Sequence, residues 1–213
     1  MIEILLKCLA SYLLGSLMGS LVVGQLRGGV DIRKLGSGNA GGTNALRTQG
    51  KRFAVWVVLI DIGKGFIATR VIASLTLPAL IPVSHEWLPV LCGLAAMLGH
   101  IHPIWYGFRG GKGAATLVGG LLGIDAWLLV PMLVTWLGTV VLSGYVGLAS
   151  MAAAASLPIF VAATAYDPRE PLLVFGWVAT ALIVFTHRSN IARMRAGIEP
   201  RAQRLWLLGL SRQ

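Results

Sequence analysis

Apolar residues fall in five blocks along the chain, near 4–26, 53–77, 87–106, 114–166 and 171–187, and polar and glycine-rich residues gather between them. One helical crossing of a bilayer needs about 20 apolar residues. The first three blocks and the last therefore each predict one membrane helix. The 114–166 block is too long for one crossing, and Asp125, Pro131 and Ser143-Gly144-Tyr145 are its candidate breaks. Lipid offers no hydrogen-bond partner to a bare backbone, so the pattern predicts an all-α polytopic bundle. No internal repeat, low-complexity tract or domain boundary interrupts it, and residues 1–213 read as a single membrane domain.

Composition strengthens this reading. Of the 213 residues, 56% are hydrophobic and 12% charged, against about 25% charged in soluble domains. Mean hydropathy is +0.76. The two cysteines, Cys8 and Cys92, sit inside apolar blocks, so no disulfide framework or metal spacing is present. Residues 1–8 carry Glu3 and Lys7 and no small-residue cleavage site follows the apolar stretch, so the start is read as a retained first span and not a removed signal peptide.

The net charge of +10 sets the orientation. Fourteen of the 18 lysines and arginines lie in three places: 27–52, 107–113 and the tail from 188. Glu3, Glu86, Asp125, Asp167 and Glu170 mark the other side. The basic segments are expected in the cytoplasm, which also removes nucleic acid as the reason for the charge. Two inner segments separated by 114–187 require an even number of crossings between them. Spans near 114–129, 130–145 and 147–166 then give seven, with the N-terminus outside and the C-terminus inside. Five spans with a re-entrant stretch is the competing count.

Those three inner segments also hold the candidate chemistry. The first is Gly36-Ser37-Gly38-Asn39-Ala40-Gly41-Gly42-Thr43-Asn44-Ala45-Leu46-Arg47, followed by Lys51. A helix starting near Thr43 as N-cap would place Asn44, Arg47 and Lys51 on one face. Unpaired amides at a helix start beside an arginine make an anion site. The string matches G-x-G-x-x-G, but no strand precedes it and no dinucleotide fold fits. The second is Gly99-His100-Ile101-His102-Pro103, running on to Gly110-Gly111-Lys112-Gly113 and Thr116. It has a phosphate loop's composition without its spacing. His100 and His102 suit an interhelical contact or a site wall; no nearby carboxylate completes a metal set. The third runs from Thr186 to Glu199, where a helix would align His187 with Asn190 and leave Arg193 at its flank. Inside the second block, Asp61 and Lys64 are costly to bury, at roughly 2.5–3.5 kcal/mol each, and are expected to pair in the bundle interior. No histidine is followed five residues on by aspartate, and no G-x-S-x-G elbow occurs.

Taken together, the ordered segments resemble the bacterial acyl-phosphate:glycerol-3-phosphate acyltransferase family, PlsY. Residues 36–47 (GSGNAGGTNALR), 99–116 (GHIHPIWYGFRGGKGAAT) and 187–199 (HRSNIARMRAGIE) follow that family's three motifs in order, and Asp61–Gly65 matches its DxxKG. Ala40, Gly42, His102 and Arg109 depart from the usual proline, alanine, phenylalanine and lysine. The resemblance implies an inner-membrane enzyme without cofactor that moves a fatty acyl group from acyl-phosphate to glycerol 3-phosphate. The products are 1-acylglycerol 3-phosphate (lysophosphatidic acid) and inorganic phosphate. Oligomeric state stays open and is compatible with a monomer.

For that reaction, charge neutralisation of two phosphates matters most. Lys112, the amides of Gly110, Gly111 and Gly113, and Arg47 are the expected phosphate ligands. Ser37, Asn39 and Asn44 would orient substrate oxygens, and His187 and Asn190 would close the site. Gly38, Thr43, His100, Thr116 and Arg193 complete the expected binding set. No carboxylate neighbours His187, so a substrate phosphate oxygen is expected to take the hydroxyl proton. A small-anion transporter would use the same basic loops and intramembrane pair, and a lipid-binding scaffold is a third reading.

Overall fold

A computed structural model describes residues 1–77, 86–167, 169–203 and 205–207. Every regular element among the described residues is helical. The contacts gather in two units, Met1–Asp125 and Ala126–Gln213.

The first unit opens with α1 (Ile2–Gly15) and α2 (Gly19–Leu26). They occupy the first apolar block, but as two helices bent by 45°. A 3₁₀ turn (Ile32–Lys34) leads to α3 (Gly42–Gln49), then α4 (Lys51–Phe66), which continues as a π-helical stretch, Ile67–Ile72. Next come α5 (Trp87–Ile101), a 3₁₀ turn at Ile104–Tyr106, and α6 (Ala114–Ile124). Helix α1 lies along α5 and α4 along α6. The second contact is close because Gly119 faces the Ile62 carbonyl, where a Cβ would collide with backbone. Such small-residue crossings replace the hydrophobic drive that is missing between helices in lipid.

The bend is held by the buried acid and base of α4. Asp61 and Lys64 are 1% and 3% exposed and pair at 3.1 Å. The Lys64 ammonium donates to the carbonyls of Gly15 (2.7 Å) and Leu17 (2.9 Å), at the end of α1. The Asp61 carboxylate accepts the Gly19 N–H at 3.2 Å, the first residue of α2. Each charge thus meets the opposite end of a helix dipole and caps groups the bend leaves unpaired.

The second unit holds a 3₁₀ turn (Ala126–Leu128) running into α7 (Leu129–Ser143), then α8 (Val146–Ala163), α9 (Arg169–Thr186) and α10 (Arg188–Arg195). Helices α7 and α8 form a hairpin about Gly144-Tyr145, and α9 returns along α8. Pro158 of α8 seats against Gly176 of α9, and the Thr180 hydroxyl donates across to the Ala154 carbonyl at 2.9 Å.

Four helical stretches among the described residues are long and apolar enough to cross a membrane: 87–106, 126–143, 146–163 and 169–186. Counted as one broken span, the bent pair α1–α2 would be a fifth. The expected span at 114–129 is shorter than anticipated. Asp125 turns to extended backbone (φ −158°) and ends α6 after 11 residues, about 17 Å of helix. Of the anticipated breaks, Asp125 and Ser143-Gly144-Tyr145 occur; Pro131 instead lies in the first turn of α7, where its missing N–H costs nothing.

Candidate active site

The first glycine-rich segment is shaped from inside by Asn44. Its side chain is 1% exposed. Its carbonyl oxygen accepts the Ser37 N–H at 3.0 Å, and its amide donates to the Ile32 and Leu35 carbonyls, both at 3.0 Å. The Ser20 hydroxyl of α2 donates to the Ala40 carbonyl at 3.0 Å, and Ala40 packs with Met18, Leu21 and Tyr106. The loop so formed leaves Ser37, Gly38, Thr43 and Arg47 exposed and Asn39 half-buried.

Two expectations here are corrected. Thr43 is not the N-cap: α3 starts one residue earlier, Gly41 holds the cap position, and no side chain caps it. Lys51 does not continue the face of Asn44 and Arg47, because Gly50 (φ +81°) ends α3 and Lys51 begins α4. Asn44 and Arg47 share a helix but not a role, the first facing in and the second out.

The second segment folds back on the end of α5. Gly110 N–H donates to the Ile101 carbonyl at 3.2 Å and Gly111 N–H to the His100 carbonyl at 3.0 Å. These two amides are therefore not the phosphate donors expected of them; they close the C-terminus of α5. Gly113, in the left-handed region at φ +87°, turns the chain into α6, a conformation glycine adopts without a Cβ penalty. Lys112 is half-buried at that turn. Thr116 follows in the first turn of α6, 1% exposed. His100, 2% exposed, puts its ring under Gly111, where any Cβ would strike the imidazole. Its Nδ1 is 3.5 Å from Asp61. It is an interhelical contact that supports the loop from below. His102 and Arg109 are exposed.

One residue, read from the sequence only as inner-side positive charge, binds the two segments together. The Arg33 guanidinium donates to the Tyr106 carbonyl at 3.0 Å and to the Arg109 carbonyl at 3.1 Å. Its other edge is doubly bonded to Asp31, at 3.0 Å and 2.8 Å. The Arg33 bond holds the Asp31 carboxyl below the usual carboxylate range, and Asp31 raises the guanidinium in turn. An open cleft of about 490 Å³ adjoins this clamp, walled by Leu21, Val22, Leu26 and Val30 with Tyr106 at one side.

In the second unit, His187 lies between α9 and α10, and its Nδ1 is 2.8 Å from the Ile183 carbonyl. A carbonyl only accepts, so the proton belongs on Nδ1 and the lone pair on Nε2. Asn190 donates to Glu199 Oε1 at 2.6 Å, and Arg193 Nε donates to Oε2 at 2.6 Å. Glu199 is buried. It stood in the third segment without a role; here it fixes both expected site residues, and the Asn190 amide rests against Gly147 of α8.

Residues 5–197 match the profile of the glycerol-3-phosphate acyltransferase family. The chain belongs to that family. Among glycerol-3-phosphate acyltransferases, it is 39% identical to the protein of Synechococcus sp. (strain CC9902) over 92% of this chain and 94% of that one. It is 38% identical to the Aquifex aeolicus protein over 90% and 95%. Among solved structures it resembles PlsY, an integral membrane glycerol 3-phosphate acyltransferase. The glycerol 3-phosphate form matches with a TM-score of 0.82 and 36% identity, over 93% of this chain and 94% of that one. The lysophosphatidic acid form matches with a TM-score of 0.81 and 34% identity, over 99% of each chain. The chain is an acyltransferase of the multi-pass membrane type.

Proposed function

We propose that the protein transfers a fatty acyl group from acyl-phosphate to glycerol 3-phosphate in the bacterial inner membrane, the first acylation of phospholipid synthesis. The observation that carries this reading is the Arg33 bridge. It joins two cationic, glycine-rich segments into one surface exposing Ser37 and Arg47, as two mutually repelling phosphates require. The acceptor hydroxyl attacks the acyl carbon, the C–O bond to phosphate breaks, and the hydroxyl proton leaves to a base. Lys112 and Arg47 neutralise the phosphates, with the Gly113 turn in place of the Gly110 and Gly111 amides. Ser37, Asn39 and Thr43 orient substrate oxygens, and Asn44 shapes the loop beneath them.

The base is reassigned. The Ile183 carbonyl gives His187 the orientation that a carboxylate would supply, so Nε2 takes the proton in preference to a substrate phosphate. Asn190 and Arg193, fixed by Glu199, complete the third segment. The acyl chain is given to the apolar cleft beside Tyr106.

Seven crossings, with the three basic segments inside, remain our topology. The short α6 packs along α4 and α5, so its ends need not reach lipid. Purified protein in bilayer discs, given acyl-phosphate and labelled glycerol 3-phosphate, is expected to release labelled lysophosphatidic acid and phosphate in equal amounts. No labelled lipid from a competent donor sinks this reading, and uptake into sealed vesicles without chemistry favours the transporter.

A further inference from the structure

The Arg33 guanidinium spends its bonds on the protein itself. Two bonds go to Asp31 and two to carbonyls of the chain leading to Lys112. Its own turn is held in place by Asn44, which donates to the Ile32 and Leu35 carbonyls on either side and accepts from Ser37. A continuous line of bonds thus runs from Ser37 through Asn44 and Arg33 to Tyr106 and Arg109, three residues before Lys112. Phe108 in that stretch adopts φ +58°, costly for a bulky side chain and stable only when its surroundings enforce it.

We propose that Arg33, braced by Asp31, is a positioning residue that fixes the Lys112 segment against the Ser37–Arg47 loop and so sets the spacing between the two substrate phosphates. It binds neither phosphate. Lysine cannot replace it, because one ammonium cannot span a carboxylate and two carbonyls as the planar fork does. The inference rests on the acyl-transfer reading for its kinetic consequence, but not for its structural one.

Both are measured on the full chain in bilayer discs. The first readout is backbone hydrogen exchange over 104–113, which needs no turnover. Arg33→Gln and Arg33→Lys are expected to accelerate it; unchanged protection overturns the proposal. The second is steady-state kinetics with each substrate varied. Both variants are expected to raise the KM for glycerol 3-phosphate and for acyl-phosphate by about tenfold, the scale of a loosened substrate geometry, with kcat within about threefold. A fall in kcat at unchanged KM would mean lost folded enzyme and overturns the positioning role. Asp31→Asn is expected to shift KM in the same direction by less, and to add nothing in the Arg33→Gln background; full additivity overturns the brace. A wild-type protein without turnover refutes the acyl-transfer reading alone, and the exchange result still decides the clamp.

Discussion

Asp61 and Lys64 form an ion pair that also ends one helix and begins another: Lys64 takes the last carbonyls of α1 and Asp61 the first amide of α2. Removing one partner strands the other charge in the bundle. Lys64→Met is expected to lower thermal stability sharply, on the order of 3–5 kcal/mol. The double variant Asp61→Asn, Lys64→Met should be less damaged than Lys64→Met alone. Unfolding midpoints in detergent check both, and a double variant worse than the single would refute the pairing.

Asn44→Ala leaves the Ser37 amide and two carbonyls without their partner. The buried Ile32 carbonyl alone costs about 1–3 kcal/mol when unsatisfied and the loop loses its inner support, so kcat/KM is expected to fall by about a hundredfold. Asn44→Asp keeps the acceptor for Ser37 but turns a carboxylate toward two carbonyls, and should be no better. Initial rates at low substrate measure this.

His187→Ala is expected to reduce kcat by about 10²–10⁴-fold, the usual worth of a general base, with substrate affinity retained. A loss below about tenfold would return the proton to the substrate phosphate.

Glu199 serves two partners through two oxygens, which its variants can separate. Glu199→Gln should keep an acceptor for Asn190 and lose the charge that pairs with Arg193. Glu199→Ala loses both. The expected order of activity is wild type, then Gln, then Ala, read from specific activity normalised to monodisperse protein.

The Asp31–Arg33 pair carries a defined pH dependence. The Asp31 carboxyl titrates lower in the folded protein than in an open chain. Its stabilisation is therefore complete above the ordinary aspartate value, near pH ~4, and is lost as pH falls through the lowered folded value. The stability difference between wild type and Asp31→Asn should be flat from neutral pH to about 5 and shrink in stronger acid. Chemical unfolding across that range tests the sign.

Much of the candidate site was proposed from local pattern. Glycine-rich cationic strings at span ends identify themselves by composition, and the hydrophobic blocks located nearly every helix. What stayed hidden depends on distant partners. Arg33 looked like one more inner-face charge because its partners are carbonyls more than 70 residues away. Gly110 and Gly111 looked like phosphate donors because nothing in their order shows that α5 claims their amides. The break between α1 and α2 was missed for a similar reason: the residues that hold it, Asp61 and Lys64, belong to α4. The N-cap was misplaced by two residues, at Thr43 instead of Gly41, within the ordinary uncertainty of helix starts.

The stitched bend also bears on biogenesis. A ribosome delivers α1 and α2 some forty residues ahead of Lys64. Until α4 arrives, the carbonyls of Gly15 and Leu17 and the amide of Gly19 face lipid with no ammonium or carboxylate to meet them, and continuing the helix through that stretch is the cheaper state. The first segment is thus expected to form as one straight helix and to break only when α4 docks against it, so the loop that follows α2 takes its final place after α4 has been made.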